Sequence, residues 1–203
     1  MKQSKFHAIG LTGGIGAGKS VVMNYLKKSC NCSILLADEA AHDVEKKGTE
    51  CYEKLVALLG TEILSENGEI DRIKMASEIF SNPEYLDKVN KIVHPAVKDY
   101  ILGTMERLER EGNVAFFFVE AALLLEEKYD EILDEIWYIY ADEEIRTKRL
   151  MTDRGYSEQK IKSILNQQLK DEEFRKRCNY TIENNGDLDK TFSQIDHKLE
   201  EYL

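Results

Sequence analysis

The stretch Gly13-Gly14-Ile15-Gly16-Ala17-Gly18-Lys19-Ser20 follows the pattern G-x-x-x-x-G-K-S of a phosphate-binding P-loop. An apolar run from Ala8 to Leu11 precedes it, and an apolar, helix-like run from Val21 to Leu26 follows it. A P-loop needs a strand before it and a helix after it, and the sequence predicts both. The alternative is a glycine-rich strand–helix turn that binds nothing.

The residue types explain how such a loop binds a nucleoside triphosphate. Glycines let the backbone come close to a phosphate, so that several N–H groups form an anion-binding site at a helix N-terminus. Lys19 is placed to reach the outer phosphates, and Ser20 to ligate Mg²⁺. The predicted cofactors are therefore ATP and Mg²⁺, and the predicted nucleotide contacts are Gly14, Ile15, Gly16, Ala17, Gly18, Lys19, Ser20 and Val21.

Composition limits the class of protein. The chain has 203 residues, of which 42% are hydrophobic and 33% charged, which is typical of one soluble α/β core with insertions. Its net charge of −10 argues against nucleic-acid binding, which needs a basic face. No apolar run approaches the length of a membrane span, and the polar start predicts no signal peptide. The four cysteines have no zinc-binding spacing, so we expect free thiols and a cytoplasmic protein.

Apolar runs alternate with helical patterns along the chain. This alternation predicts a three-layer α/β/α fold of the P-loop NTPase class with a five-stranded parallel sheet. The predicted helices lie at residues 19–29, 39–47, 49–59, 71–80, 84–110, 143–153, 157–170 and 187–202. The predicted strands are Phe6–Leu11, Ser33–Ala37, Val114–Val119, Ile136–Tyr140 and Tyr180–Ile182.

The link between the second and third strands is longer than a crossover helix needs. It covers residues 39–113 and is nearly all helical, which predicts a small subdomain beside the sheet. Pro95 lies within its longest helix, so we expect a break or kink near His94.

Acidic residues follow two predicted strands. Asp38 comes at the carboxyl end of the second strand, where ligands of open α/β sheets gather, and we expect it beside the P-loop. There it would orient an attacking hydroxyl or support Mg²⁺; helix N-capping is the equally simple alternative. Glu120 follows the third strand and is a candidate for the Mg²⁺ water shell.

Basic residues cluster after the fourth strand, at Arg146, Lys148, Arg149 and Arg154. Arg146 and Arg149 share one helix face, as would suit a mobile segment that closes over a migrating phosphoryl group. A solvated face paired with neighbouring acids is the alternative. Asn184 follows the last strand and is either a turn residue or a contact to the purine.

The chain resembles the dephospho-CoA kinase family over nearly its whole length. The motifs that carry the resemblance are residues 11–20 (Leu-Thr-Gly-Gly-Ile-Gly-Ala-Gly-Lys-Ser), Ala37-Asp38 with Ala41-His42, His94-Pro95, residues 123–126 (Leu-Leu-Leu-Glu) and residues 182–186 (Ile-Glu-Asn-Asn-Gly). The chain departs from the family pattern in three ways: Leu36 replaces a frequent Asp, Ala122 a frequent Pro, and Asp153-Arg154 reverses a frequent Arg-Asp order.

The resemblance implies transfer of the ATP γ-phosphoryl group to the ribose 3′-hydroxyl of dephospho-CoA. It implies a kinase core at residues 1–59 and 111–203, a CoA-binding insertion at 60–110 and a lid at 142–170. The implied catalytic residues are Lys19, Asp38 and Arg149, and the implied substrate contacts are Asp38, His94, Leu123 and Arg146. The alternatives are a nucleoside or nucleotide kinase and a GTP-dependent switch, although the sequence lacks the Asn-Lys-x-Asp motif of such switches.

Overall fold

The computed structural model describes residues 6–202 of the chain. Its strands are β1 (His7–Thr12), β2 (Cys32–Leu36), β3 (Phe116–Glu120), β4 (Glu135–Tyr140) and β5 (Tyr180–Glu183). Its helices are α1 (Lys19–Ser29), α2 (Ala37–Val44), α3 (Glu50–Leu59), α4 (Arg72–Ser81), α5 (Glu84–Glu111), α6 (Glu143–Arg154), α7 (Glu158–Gln167), α8 (Asp171–Arg177) and α9 (Leu188–Glu200). Short 3₁₀ turns lie at Thr61–Ile63 and Tyr129–Glu131.

The strands form one five-stranded sheet in the order β2-β3-β1-β4-β5, and β1 pairs in parallel with both β3 and β4. Four successive residues of β3, Phe116 to Val119, are buried, so both faces of this strand are covered. Residues of α1 and α9 pack with Trp137 and Ile139 on one face. On the other face the ring of Tyr138 stacks on Phe174 of α8. The predicted three-layer fold with a five-stranded parallel sheet is confirmed.

The chain divides into two compact units. The first contains the described residues up to Ile34 and those from Leu108 onward, and the second is Leu35–Arg107. The predicted start of the insertion at residue 60 thus lies inside the second unit, which also includes α2 and α3. Nothing in this division bears on what the second unit binds.

The helix α5 continues through Pro95, so a break near His94 is wrong, whereas the alternative of a kink there stays a prediction. A proline inside a helix costs about 3 kcal/mol because it removes one backbone hydrogen bond. Buried side chains lie on both sides of it, at Val89 before the proline and at Val97 and Ile101 after it. Burial of these side chains offsets the lost hydrogen bond.

The sequence pattern missed α8, because its residues follow the predicted helix at 157–170 and were assigned to no helix. The helix at residues 157–170 ends early, at Gln167, and α8 begins at Asp171. Three acidic residues stand in the first turn of α8 and three basic residues in its last turn. This charge order complements the helix dipole and is the pattern by which α8 was predictable.

Candidate active site

The P-loop joins β1 to α1, as predicted. Gly16 and Gly18 have positive φ angles of 79° and 94°, which other residues rarely adopt, and Gly18 is the residue immediately before α1. Within residues 6–202, the N–H groups of Gly16, Gly18, Lys19 and Ser20 have no hydrogen-bond acceptor. These unpaired donors at a helix N-terminus form a site for an anion.

Lys19 lies across this loop. Its Nζ donates a 2.8 Å hydrogen bond to the carbonyl oxygen of Gly13 and lies 3.5 Å from Oε1 of Glu120 at the end of β3. Both side chains are mostly buried, with 17% and 16% of their surface exposed. Glu120 therefore lies at the loop, as its position after the strand predicts. Ser20 is exposed at the start of α1, so its hydroxyl is accessible to a ligand.

Three side chains from later in the chain hold the carbonyl groups of the loop. Arg146 Nε donates to the oxygen of Ile15 at 3.0 Å. Arg149 Nη1 donates to the oxygens of Gly16 and Ala17 at 3.3 and 3.4 Å. Asn184 Nδ2 donates to the oxygen of Ala17 at 2.7 Å. With its carbonyls held in this way, the loop keeps its N–H groups free for an anion.

No carboxylate of the described residues lies within ion-pair distance of Arg146 or Arg149, although Glu143 and Asp171 act on Arg146 from farther away. Within the described part of the chain, Arg146 and Arg149 form no ion pair, and their hydrogen-bond acceptors are backbone and amide oxygens. Burial lowers the pKa of Arg146 below its ordinary value, because desolvation disfavours the charged form. The two arginines thus bring positive charge to the P-loop that remains available to an anionic ligand.

The basic cluster therefore divides into two kinds of residue. Arg146 and Arg149 face the loop, and the alternative of a solvated face paired with neighbouring acids is wrong for them. Lys148 and Arg154 are exposed, and Arg154 is the last residue of α6. Gly155 follows it in the left-handed conformation and ends the helix. A solvated position is the correct description for this second pair.

Asn184 is a structural contact of the loop rather than a turn residue. Its side chain is buried, its backbone N–H donates to Tyr140, and its Oδ1 accepts from Thr191. An added Cβ at Gly18 would collide with its amide nitrogen, so the two residues are matched in size. The predicted contact between Asn184 and the purine stays a prediction.

Asp38 belongs to the second unit. It lies in the first turn of α2, and the N-cap residue is Leu36, so the alternative that Asp38 caps this helix is wrong. Its side chain is exposed and forms no ion pair among residues 6–202. An acid in a first helical turn is favoured by the helix dipole. Its predicted place beside the P-loop stays a prediction.

The remaining predicted substrate contacts lie in different units. His94 is half-buried within α5, in the second unit. Leu123 follows β3 in the first unit and is 48% exposed, which is unusual for a large apolar side chain.

No group of three or more His, Cys, Asp or Glu residues within residues 6–202 is arranged to hold a metal ion. In the same range, no helix is long and apolar enough to cross a membrane.

Gln168 is a site residue that the sequence did not reveal. Its Oε1 accepts hydrogen bonds from the N–H of Ile15 at 3.2 Å and from Nη2 of Arg146 at 3.1 Å. It lies in a polar stretch after α7 with no motif around it, so no pattern distinguishes it from Gln167.

Comparison with known proteins identifies the family of this chain. A family model described as Dephospho-CoA kinase matches residues 7–190. The chain belongs to the dephospho-CoA kinase family. The dephospho-CoA kinase of Geobacillus kaustophilus is 37% identical over 187 residues, which are 92% of each chain. That of Listeria innocua is 34% identical over 195 residues, 96% of each chain.

Solved structures agree with this family. A protein from Thermus thermophilus superimposes with a TM-score of 0.78 at 30% identity, covering 97% of this chain and 98% of that one. The dephospho-CoA kinase of Campylobacter jejuni gives a TM-score of 0.72 at 27% identity, covering 96% of each chain. A shikimate kinase from Acinetobacter baumannii, at 15% identity and a TM-score of 0.51, shares only the fold.

Proposed function

We propose that this protein is an enzyme that transfers the γ-phosphoryl group of ATP to the ribose 3′-hydroxyl of dephospho-CoA, giving CoA and ADP, the last step of coenzyme A biosynthesis. One observation of the structure supports this most directly. The P-loop has open N–H donors, and the two arginines beside it form no ion pair with a carboxylate of the described residues. Such a site suits a triphosphate, and membership of the family supplies the acceptor.

The chemistry follows from positioning and electrostatics. Lys19 and the loop N–H groups hold the β- and γ-phosphates, and Arg149, with Arg146, offsets the negative charge on the transferring group. Part of each guanidinium stays on the loop carbonyls, so the cations are fixed before the nucleotide binds. Little reorganisation then remains for the moment of reaction.

Ser20 is the residue that would hold Mg²⁺. Its hydroxyl is exposed beside the open donors of the loop, and oxygen ligands of this kind suit a hard cation. Mg²⁺ keeps several waters and binds phosphates, so it does not need a cluster of protein carboxylates. When bound, it would neutralise charge on the β- and γ-phosphates.

The acceptor side rests on the second unit. We assign Asp38 to the 3′-hydroxyl, because its carboxylate is exposed and free of other ion pairs among the described residues. We assign residues 60–110 to the CoA moiety, with His94 as one contact and Leu123 and Arg146 as contacts from the first unit. Residues 142–170 act as the lid.

The substrate is a small molecule rather than a nucleic acid. The four free thiols suit the reducing environment of the cytoplasm.

The acceptor assignment is tested by measuring ADP formation from Mg·ATP with a panel of acceptors. The panel contains dephospho-CoA, AMP, CMP and adenosine, with a no-acceptor control for slow hydrolysis. We expect turnover with dephospho-CoA alone. Turnover with AMP or CMP would keep the phosphoryl-transfer chemistry but overturn the acceptor, and ADP formation independent of any acceptor would overturn the kinase assignment.

The Asp38→Asn variant tests the assigned role of this carboxylate. Asparagine keeps the size and loses the charge and basicity, so turnover should fall about 10²-fold or more while ATP affinity changes little. The measurements are steady-state kcat with dephospho-CoA and the Kd of ATP by calorimetry. Glu39→Gln, in the same helical turn and also exposed, is the matched control. Unchanged kcat in Asp38→Asn would remove Asp38 from the mechanism.

A further inference from the structure

Gln168 closes a ring of hydrogen bonds between the lid and the P-loop. It follows the last residue of α7, and its Oε1 accepts from both the Ile15 N–H and the Arg146 guanidinium. Arg146 in turn donates from Nε to the oxygen of Ile15. Both backbone polar groups of Ile15 are therefore held by two side chains from residues 142–170. The ring fixes the guanidinium of Arg146 against the loop.

The acceptor in this ring is neutral, and that matters for the charge of Arg146. Arg146 is half-buried and contacts only neutral oxygens among the described residues. A carboxylate in place of the Gln168 amide would accept the same two hydrogen bonds, and more strongly, because its charge assists them. It would also cancel the positive charge and place a negative charge beside the phosphates. Hydrogen-bond geometry alone would therefore also allow a carboxylate at position 168. The need to keep the positive charge of Arg146 available to a ligand explains why the residue is an amide.

We propose that Gln168 is a positioning residue for phosphoryl transfer, which holds Arg146 at the P-loop through an uncharged acceptor so that its positive charge stays available to the ATP phosphates. The inference rests on the proposed function for the identity of the anion. Gln168 acts through Arg146 and the Ile15 N–H, and it takes no part in bond making itself.

The test exchanges the amide for a carboxylate of the same shape. Gln168→Glu keeps both hydrogen bonds, whereas Gln168→Leu removes them. Gln167→Glu adds the same charge one residue away, at an exposed position, and is the matched control. For each protein we would measure the Kd of Mg·ATP by calorimetry without acceptor, KM and kcat with dephospho-CoA, and the thermal midpoint Tm.

We expect Gln168→Glu to raise the Kd and KM for ATP about tenfold or more while Tm stays equal or rises, because a half-buried ion pair with Arg146 replaces a neutral contact. Gln167→Glu should stay within about threefold of wild type in all quantities. Gln168→Leu should weaken ATP binding and also lower Tm.

Two results would overturn the proposal. In the first, Gln168→Glu binds ATP as tightly as Gln167→Glu does. In the second, Gln168→Glu lowers Tm and weakens ATP binding to the same extent as Gln168→Leu does, as expected of a residue that only supports packing. Because ATP binding is measured without an acceptor, absence of turnover with dephospho-CoA in the wild-type protein would overturn the proposed function and leave the test of Gln168 intact.

Discussion

Two arginine environments lie close together in the chain and differ in what holds the guanidinium. Among the described residues, the hydrogen-bond acceptors of Arg146 and Arg149 on α6 are neutral oxygens of the P-loop, Gln168 and Asn184. Arg175 on α8 contacts carboxylates of Asp171 and Glu183, both at 2.9 Å, and lies over the ring of Tyr140. Burial lowers the pKa of Arg146, whereas hydrogen bonds to Glu183 and Asp171 raise that of Arg175.

The difference separates a charge kept for a ligand from a charge used within the fold. Arg175 is 40% exposed, and its charge is matched by two acids, so it links α8 to β5. Arg146 is partly desolvated, and within residues 6–202 it forms no ion pair. A half-buried cation with neutral contacts is retained where an anion binds. In the proposed function, this comparison favours α6 over α8 as the source of the arginines that bind phosphate.

The largest expected effect comes from removing one of the unpaired charges. Arg149→Ala should lower kcat/KM about 10²- to 10³-fold, because a fixed cation at the transferring phosphoryl group contributes on this scale. Arg175→Ala, the matched control, should change kcat/KM less than about threefold. Both values come from initial rates with Mg·ATP and dephospho-CoA. Equal losses in the two variants would erase the distinction between the two environments.

A smaller effect is expected from moving Arg146 without deleting it. A Cβ at Gly14 would lie 2.7 Å from Cζ of Arg146, so Gly14→Ala should displace the guanidinium and lower kcat/KM about tenfold. Gly103→Ala is the control, because its Cβ meets no atom of the described residues within 4 Å and alanine is favoured over glycine in a helix interior by about 1 kcal/mol. It should raise Tm slightly and leave the rate unchanged. A Gly14→Ala enzyme with the wild-type rate would show that the position of Arg146 is unimportant.

The smallest effect concerns the paired arginine itself. Arg175→Met should lower the free energy of unfolding by no more than about 1 kcal/mol, because exposed ion pairs contribute little. Urea denaturation at low and high salt measures it, and the difference from wild type should shrink as salt screens the pairs. A salt-independent loss would mean that packing against Tyr140, and not charge, is what Arg175 contributes.

The sequence predicted the fold well because the fold depends on local patterns. The apolar run of β3, the P-loop and the alternation of strands and helices were sufficient to predict the sheet. The helix α1 was predicted with its observed bounds, Lys19–Ser29. The break at Pro95 was predicted wrongly because local propensity omits the burial of Val97 and Ile101. The division at Leu35–Arg107 depends on contacts between distant residues, which local patterns do not contain.

The candidate site was predictable where a motif or a charge cluster carries the chemistry. Lys19 and Ser20 followed from the P-loop pattern, and Arg146 and Arg149 from their spacing on one helix face. The direction in which these arginines point, and their neutral contacts, follow from packing of α6 on the loop. Gln168 was not predictable, because its role depends on an acceptor atom reaching Ile15 from far along the chain. The roles of Asp38, His94 and Leu123 stay predictions.

The central claim is that this P-loop and its unpaired arginines serve phosphoryl transfer to one hydroxyl of dephospho-CoA. The most direct test is a single-turnover reaction with γ-labelled Mg·ATP, in which the labelled product is isolated and the phosphate position is assigned by NMR. The account predicts one labelled CoA per ADP, with the label on the ribose 3′-oxygen. Label released as inorganic phosphate, or found on another acceptor oxygen, would contradict it.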